Sequence, residues 1–103
     1  MGFAELLVRA GIPYRSDHST EVTEAVFETI RNASYEQSVS LARRKGSFGR
    51  FEADPFLESG YAADLPTEIR ESIREHGVRN LTLLTVAPRG TTGTMMATST
   101  GIE

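Results

Sequence analysis

The chain has 103 residues, of which 39% are hydrophobic and 24% charged, with a formal net charge of -3 and no cysteine. That length suits one small domain with a thin core, and the acidic balance argues against nucleic acid or an anionic membrane as a partner. The lack of cysteine excludes disulfides, thiolate metal sites and thiol-based catalysis by these residues. No apolar run approaches the length of a membrane span, and no leader peptide is visible at the N-terminus, so we expect a cytoplasmic location.

Apolar residues recur at three- and four-residue spacing in three segments, which predicts helices over 2–10, 19–45 and 67–76. The long second helix ends in three basic residues followed by Gly46. Cations complement the negative end of a helix dipole, and glycine can take the left-handed conformation that closes a helix. Gly77 predicts the end of the third helix in the same way.

Residues 47–65 break the helical pattern and are predicted as a long irregular connection. Ordered connections of this length usually serve a site or a neighbouring surface. For the aromatic residues Phe48, Phe51 and Phe56, the favoured interpretation is that they only anchor the connection on the core.

The run 81–87 is short, apolar and bounded by polar residues and Pro88, which predicts a strand buried on both faces, as in a parallel sheet. We therefore expect an α/β fold with a mostly helical piece, one buried strand and a helix that begins near Gly93. The chain offers no second convincing strand to pair with residues 81–87.

The segment 88–94 combines a strand end, a turn rich in glycine and threonine, and a helix start. The first amides of a helix have no partner within it and lie at the positive end of its dipole, so they suit an anion. Glycines allow close approach of the backbone, threonines add hydroxyl donors, and an arginine adds paired contacts to phosphate oxygens. The predicted phosphate-binding residues are Pro88, Arg89, Gly90, Thr91 and Thr92. The pattern alone leaves open whether this turn binds an anion or only connects two elements.

Other motifs do not assemble a site. No lysine follows the second glycine as in a nucleotide-binding P-loop, and the three-glycine dinucleotide spacing is missing. His18 and His76 have no second ligand at metal-binding spacing. We therefore predict no catalytic residue and no metal ligand in this chain.

The string from Asn80 to Glu103 has a run ending Ala-Pro, then Gly-Thr-Thr-Gly-Thr, then Ser-Thr-Gly-Ile-Glu. In this order and spacing it resembles the segment of class II, adenosylcobalamin-dependent ribonucleotide reductases that holds the substrate phosphates. Shorter strings at 1–4, 11–14, 45–48 and 57–61 resemble the same family in the same order. The similarity covers nearly the whole chain.

This resemblance implies a partial segment of a ten-stranded α/β barrel that surrounds a radical cysteine. The family reduces the 2′-carbon of ribonucleotides, so the implied partners are a ribonucleoside di- or triphosphate and the remainder of the barrel. The implied cofactor is adenosylcobalamin in the parent enzyme, with none bound by this segment. Pro88, Arg89, Gly90, Thr91 and Thr92 match the phosphate-contacting loop, and Arg89 stands where most relatives have threonine or serine.

The family's catalytic cysteines are absent from this sequence. We therefore expect an internal piece of a reductase that is inactive alone. The alternative is a free-standing small module that binds a phosphate or a partner without catalysis.

Overall fold

The computed structural model describes residues 1–87 and 89–101, with all of their side chains except that of Tyr61. Within these residues the elements are α1 Phe3–Arg9, α2 Asp17–Lys45, α3 Ala53–Glu58, a 3₁₀ helix Gly60–Asp64, α4 Thr67–His76 and α5 Gly90–Met95. The first, second and fourth α-helices overlap the ranges predicted from apolar spacing. The chain forms two compact units, one of residues 28–84 and one of residues 1–27 with the segment from residue 85 onward.

The long helix α2 is closed at both ends by local hydrogen bonds. The hydroxyl oxygen of Ser16 accepts the amide of Ser19 at 3.0 Å, so Ser16 caps the helix and the helix begins two residues before its predicted start. At the other end Gly46 takes a φ of 81° and donates its amide to the carbonyl of Ala42 at 2.8 Å. This is the left-handed helix end that the sequence pattern predicts.

The core of the unit formed by residues 28–84 is an apolar cluster contributed by α2, α3, the 3₁₀ helix and α4. Its buried members are Val39, Leu57, Ala62, Leu65, Ile69, Ile73 and Val78. Phe48, Phe51 and Phe56 pack against this cluster, and their rings lie 5.6 to 6.2 Å apart. The aromatic residues of the long connection therefore anchor it on the core.

That connection is more regular than predicted, because it contains α3 and the 3₁₀ helix. Elements of five or six residues are too short to show a helical period in the sequence. Arg70 of α4 stabilises this region by donating from Nη1 to the carbonyls of Leu57, Ala62 and Ala63 at 3.0, 2.8 and 3.2 Å. These bonds link a guanidinium on one helix to carbonyls of the chain before it, which no local pattern reveals.

The segment after α4 is fixed to α2 by Ser38, which is fully buried. The hydroxyl oxygen of Ser38 accepts the amides of Arg79 and Asn80 at 3.1 and 3.2 Å, and the hydroxyl donates to the side-chain oxygen of Asn80 at 3.0 Å. Gly77, with a φ of 77°, makes the turn that leads into this segment. The exit from α4 is therefore set by tertiary contacts as well as by glycine.

The predicted strand at 81–87 is not formed in the part of the chain that the structure describes, so that prediction is wrong for this chain. Leu81, Leu84 and Val86 are 66%, 53% and 67% exposed. A strand is held by hydrogen bonds to a neighbouring strand, and residues 1–87 and 89–101 supply no such neighbour. The described structure is consequently helical, and the expected α/β character rests on the composition of residues 81–87 and on the family resemblance. None of the helices within these residues is long and apolar enough to cross a bilayer.

Candidate functional site

The predicted phosphate-binding residues lie at the beginning of α5. Arg89 precedes the helix, and Gly90, Thr91 and Thr92 form its first turn, all of them exposed. Pro88 lies outside the described residues. The helix begins at Gly90, three residues before the start predicted near Gly93, so this part of the prediction is wrong.

Local hydrogen bonds define the early start of α5. The amide of Gly93 donates to the carbonyl of Arg89 at 2.7 Å, and the hydroxyl of Thr94 donates to the carbonyl of Gly90 at 2.9 Å. Glycine and threonine are poor helix formers, so their sequence favours a turn. The packing described below compensates for that weak propensity.

The early start decides which amides can bind an anion. The amide of Gly93 is already bonded within the helix turn. Among residues 1–87 and 89–101, the amides of Gly90, Thr91 and Thr92 meet no acceptor. They lie in the first turn, where helix amides have no intrahelical partner, so they are the donors that a bound anion would meet.

Arg89 is held by its backbone and free at its side chain. Its amide donates to the carbonyl of Thr100 at 2.6 Å. Its side chain is exposed, and the guanidinium has no hydrogen bond or ion pair with any described residue. An arginine in this state can pair with phosphate oxygens without first breaking a contact inside the protein.

Gly93 is the point at which α5 packs on the segment that follows it. A Cβ placed on Gly93 would lie 2.7 Å from Cγ2 of Thr100, 3.1 Å from its Cα and 3.3 Å from the carbonyl oxygen of Ser99. The carbonyl of Gly93 also accepts the amide of Thr98 at 3.0 Å. Residues 98–100 therefore fold back against α5, and only glycine fits at the contact.

The same segment is held by α1 through Glu5. The amide of Ser99 donates to Oε1 of Glu5 at 2.7 Å and its hydroxyl donates to Oε2 at 2.9 Å. The hydroxyl oxygen of Ser99 in turn accepts the amide of Gly2 at 3.1 Å. The Ser99 hydroxyl bond, followed by the bond from Glu5's own amide, lowers the pKa of the Glu5 carboxyl below its usual value. Sequence reasoning missed Glu5, because its partner lies 94 residues away.

Outside the start of α5, the described residues offer little for a ligand. In the part of the chain that the structure describes, no group of three or more histidine, cysteine, aspartate or glutamate side chains could hold a metal ion. A shallow groove of about 270 Å³ runs between α2 and α4 and is lined by Glu36, Val39, Ser40, Arg43, Glu68, Ile69 and Ser72. It belongs to the unit of residues 28–84, whereas the predicted phosphate-binding residues belong to the other unit.

Comparison with known families bears on the whole chain. A family model described as the ribonucleotide reductase barrel domain matches residues 1–103. The chain belongs to this family. The segment at the start of α5 and the Glu5 contact both lie within the matched range.

Relatives in the reductase family share about three residues in ten with this chain. A ribonucleoside-diphosphate reductase subunit alpha from Treponema pallidum is 31% identical over 108 residues, covering 99% of this chain and 13% of the relative. A vitamin B12-dependent ribonucleoside-diphosphate reductase from Mycobacterium tuberculosis is 32% identical over 103 residues, covering 100% of this chain and 13% of the relative. A ribonucleoside-diphosphate reductase large subunit from Plasmodium falciparum is 27% identical over 113 residues, covering 99% of this chain and 14% of the relative. The chain thus spans about one seventh of the length of these relatives. One of the three is named as vitamin B12-dependent and the other two are not.

Proposed function

We propose that this chain is part of the catalytic barrel of a ribonucleotide reductase, and that residues 88–92 bind the phosphates of the ribonucleotide substrate. The reaction would make deoxyribonucleotides for DNA synthesis by radical reduction of the ribose 2′-carbon, in the cytoplasm. The family match over residues 1–103 supports the reductase assignment. The observation that carries the phosphate role is the set of amides at Gly90, Thr91 and Thr92, which find no acceptor in the described residues.

The chemistry of phosphate binding follows from these groups. Amides at a helix start and threonine hydroxyls donate to phosphate oxygens, and the positive end of the helix favours the negative charge. A hydrogen bond to a charged group contributes about 1.5–3 kcal/mol. Arg89 would add a charge-assisted contact of this size where most relatives, by the family resemblance, carry a neutral side chain.

Radical and thiol chemistry must come from other parts of the parent enzyme, because these 103 residues contain no cysteine. We propose that the parent is of the adenosylcobalamin-dependent class, and the 32% identity to a vitamin B12-dependent relative supports this. By the family resemblance, the cofactor would be held by the remainder of the barrel.

The alternative function, a free-standing module, is less consistent with the exposed apolar segment. Leu81, Leu84 and Val86 are more than half exposed, although the run has the composition of a strand buried on both faces. A module that works alone would bury such residues. A reductase barrel would cover them with neighbouring strands.

The phosphate role is tested with Thr91→Pro in a full-length reductase that contains residues 1–103. Proline removes one amide donor and one hydroxyl from the first turn of α5, a position where its ring is compatible with a helix. We expect the KM for CDP or CTP, whichever is the substrate, to rise at least about tenfold, since the lost donors are each worth about 1.5–3 kcal/mol. Thermal unfolding without ligand must match the parent. A well-folded variant with an unchanged KM would show that this loop does not bind the phosphates.

The cofactor class is tested separately. Turnover by the same full-length enzyme should require added adenosylcobalamin and should not require a second radical-generating subunit. Full activity without the cobalamin would contradict the assignment to that class and leave the phosphate role intact.

A further inference from the structure

We propose that Glu5 is a positioning residue that holds the start of α5 in its phosphate-binding geometry by hydrogen bonding to Ser99. This inference deepens the proposed function and rests on it. It concerns a residue on α1, at the opposite end of the sequence from the residues that would touch the phosphates. Glu5 would act on substrate only through the segment that it holds.

Glu5 holds Ser99 through two hydrogen bonds, both donated by Ser99 to the carboxylate. One carboxylate oxygen of Glu5 accepts the Ser99 amide at 2.7 Å and the other accepts the Ser99 hydroxyl at 2.9 Å. The hydroxyl oxygen of Ser99 also accepts the amide of Gly2 at 3.1 Å, so its orientation is determined from both sides. Short, charge-assisted bonds of this kind define the position of the serine more closely than a neutral contact would.

From Ser99 the restraint passes to the binding residues through the next residue along the chain. The carbonyl of Thr100 accepts the amide of Arg89 at 2.6 Å, which fixes the residue immediately before α5. The side chain and Cα of Thr100 lie against the face of Gly93, where no side chain fits. Glu5, Ser99 and Thr100 therefore form a continuous path to both sides of Gly90, Thr91 and Thr92.

The restraint has a role because the first turn of α5 is weak by composition. Six residues of glycine, threonine and methionine form a helix far shorter than the roughly 12–15 residues that are marginally stable in isolation. Without an outside restraint the three amides would point in one direction only part of the time. Apparent affinity falls in proportion to the populated fraction of the competent conformation.

The expected signature is a change in KM without a change in kcat. The phosphates lie away from the ribose carbon that reacts, so their contacts are equally strong before and during the chemical step, and losing them raises KM alone. If the loop is competent for about a tenth to a fifth of the time without Glu5, the KM rises about five- to tenfold. A purely structural defect would instead lower the amount of active enzyme and hence kcat.

The experiment measures KM and kcat for CDP and CTP in a full-length reductase that contains residues 1–103. The variants are Glu5→Ala, Ser99→Ala, the double variant, and Glu5→Gln, with Glu24→Ala, an exposed glutamate on α2, as the matched control. Glu5→Ala and Ser99→Ala should each raise KM, and the double variant should be no worse than the more severe single one, since both remove one interaction. Glu5→Gln keeps an acceptor for the Ser99 amide and should be intermediate. Glu24→Ala should match the parent.

Thr91→Pro in the same enzyme tests the phosphate role of the loop separately from the positioning role of Glu5. If Thr91→Pro raises KM and Glu5→Ala does not, the positioning role is wrong and the phosphate role stands. If neither variant raises KM, the proposed function is wrong. If Glu5→Ala unfolds at a lower temperature than the parent, Glu5→Gln and Ser99→Ala test the positioning role by the same rise in KM. A lower kcat with an unchanged KM in these two variants overturns the inference.

Discussion

Gly93→Ala is expected to loosen the fold-back of residues 98–100 on α5. Alanine in a helix interior is normally favoured over glycine by about 1 kcal/mol. Here the added methyl group would lie 2.7 Å from Cγ2 of Thr100 and 3.1 Å from its Cα, and the latter is backbone that cannot turn away. Forcing a group into a packed contact costs about 1–3 kcal/mol. The net result is a loss of up to about 2 kcal/mol, in the opposite direction to helix propensity.

Amide hydrogen exchange, measured by NMR on the purified chain, reports this loss directly. The amides of Thr98 and Arg89 donate across the contact, at 3.0 and 2.6 Å, and their protection should fall by up to about thirtyfold. Gly90→Ala is the matched control, because no atom lies within 4 Å of a Cβ at that position, and protection should be unchanged or slightly higher. The amide of Gly77, in the other unit, serves as an internal reference. Protection of Thr98 and Arg89 that equals or exceeds the parent value in Gly93→Ala would refute the packing argument.

Four further outcomes are expected. Gly77→Ala should lower the free energy of unfolding more than Gly46→Ala. Gly77, with φ 77° and ψ −172°, lies in a backbone region that is essentially restricted to glycine, and a Cβ there would also lie 2.8 Å from Cβ of Ser47. At Gly46, with φ 81°, a Cβ would meet no other residue within 4 Å. Urea unfolding of the two variants measures the difference, and equal losses would contradict it. Ser38→Ala should cost about 1–3 kcal/mol in the same assay, because two backbone amides lose a buried acceptor. An NMR titration of Glu5 should give a pKa below that of an ordinary glutamate, because the Ser99 hydroxyl donates to its carboxylate; the contribution of Glu5 to stability is therefore present above the ordinary pKa and is lost as the pH falls through the lower folded-state pKa. Finally, the 103-residue chain should show no ribonucleotide reduction with or without adenosylcobalamin, since it contains no cysteine to carry the radical; turnover above background would contradict this.

The parts of the fold that follow from local sequence are those that local forces determine. Apolar spacing places α1, α2 and α4, and the basic run before Gly46 marks the end of α2, because the helix dipole and the left-handed glycine act within one turn. The start of α2 was missed by two residues because Ser16 and Ser19 are both competent caps. Only the position of the Ser16 hydroxyl against the Ser19 amide decides between them.

The strand predicted at 81–87 failed for a reason that lies outside the local sequence. An apolar run bounded by polar residues indicates that a segment is suited to burial between neighbours. It does not show that the neighbours lie in the same chain. Within the residues described here, Leu81, Leu84 and Val86 remain exposed and no strand forms. The composition of this run therefore fits a segment that neighbours cover on both faces, and the described residues do not supply those neighbours.

The start of α5, the proposed phosphate loop, depends both on its local sequence and on contacts from distant parts of the chain. A loop that approaches a ligand through its backbone needs glycine, and one that donates through side chains as well needs hydroxyls, but both residue types form helix poorly. Gly90 to Thr94 carry that composition, so their own sequence predicts a turn. The helix forms because contacts from elsewhere supply the missing stability: Thr100 against Gly93, and Glu5 holding Ser99. The glycine and threonine residues that would suit this loop to an anion also form helix poorly, so its geometry depends on contacts with α1. Glu5 makes those contacts from the opposite end of the sequence, so the local sequence around the loop cannot reveal it.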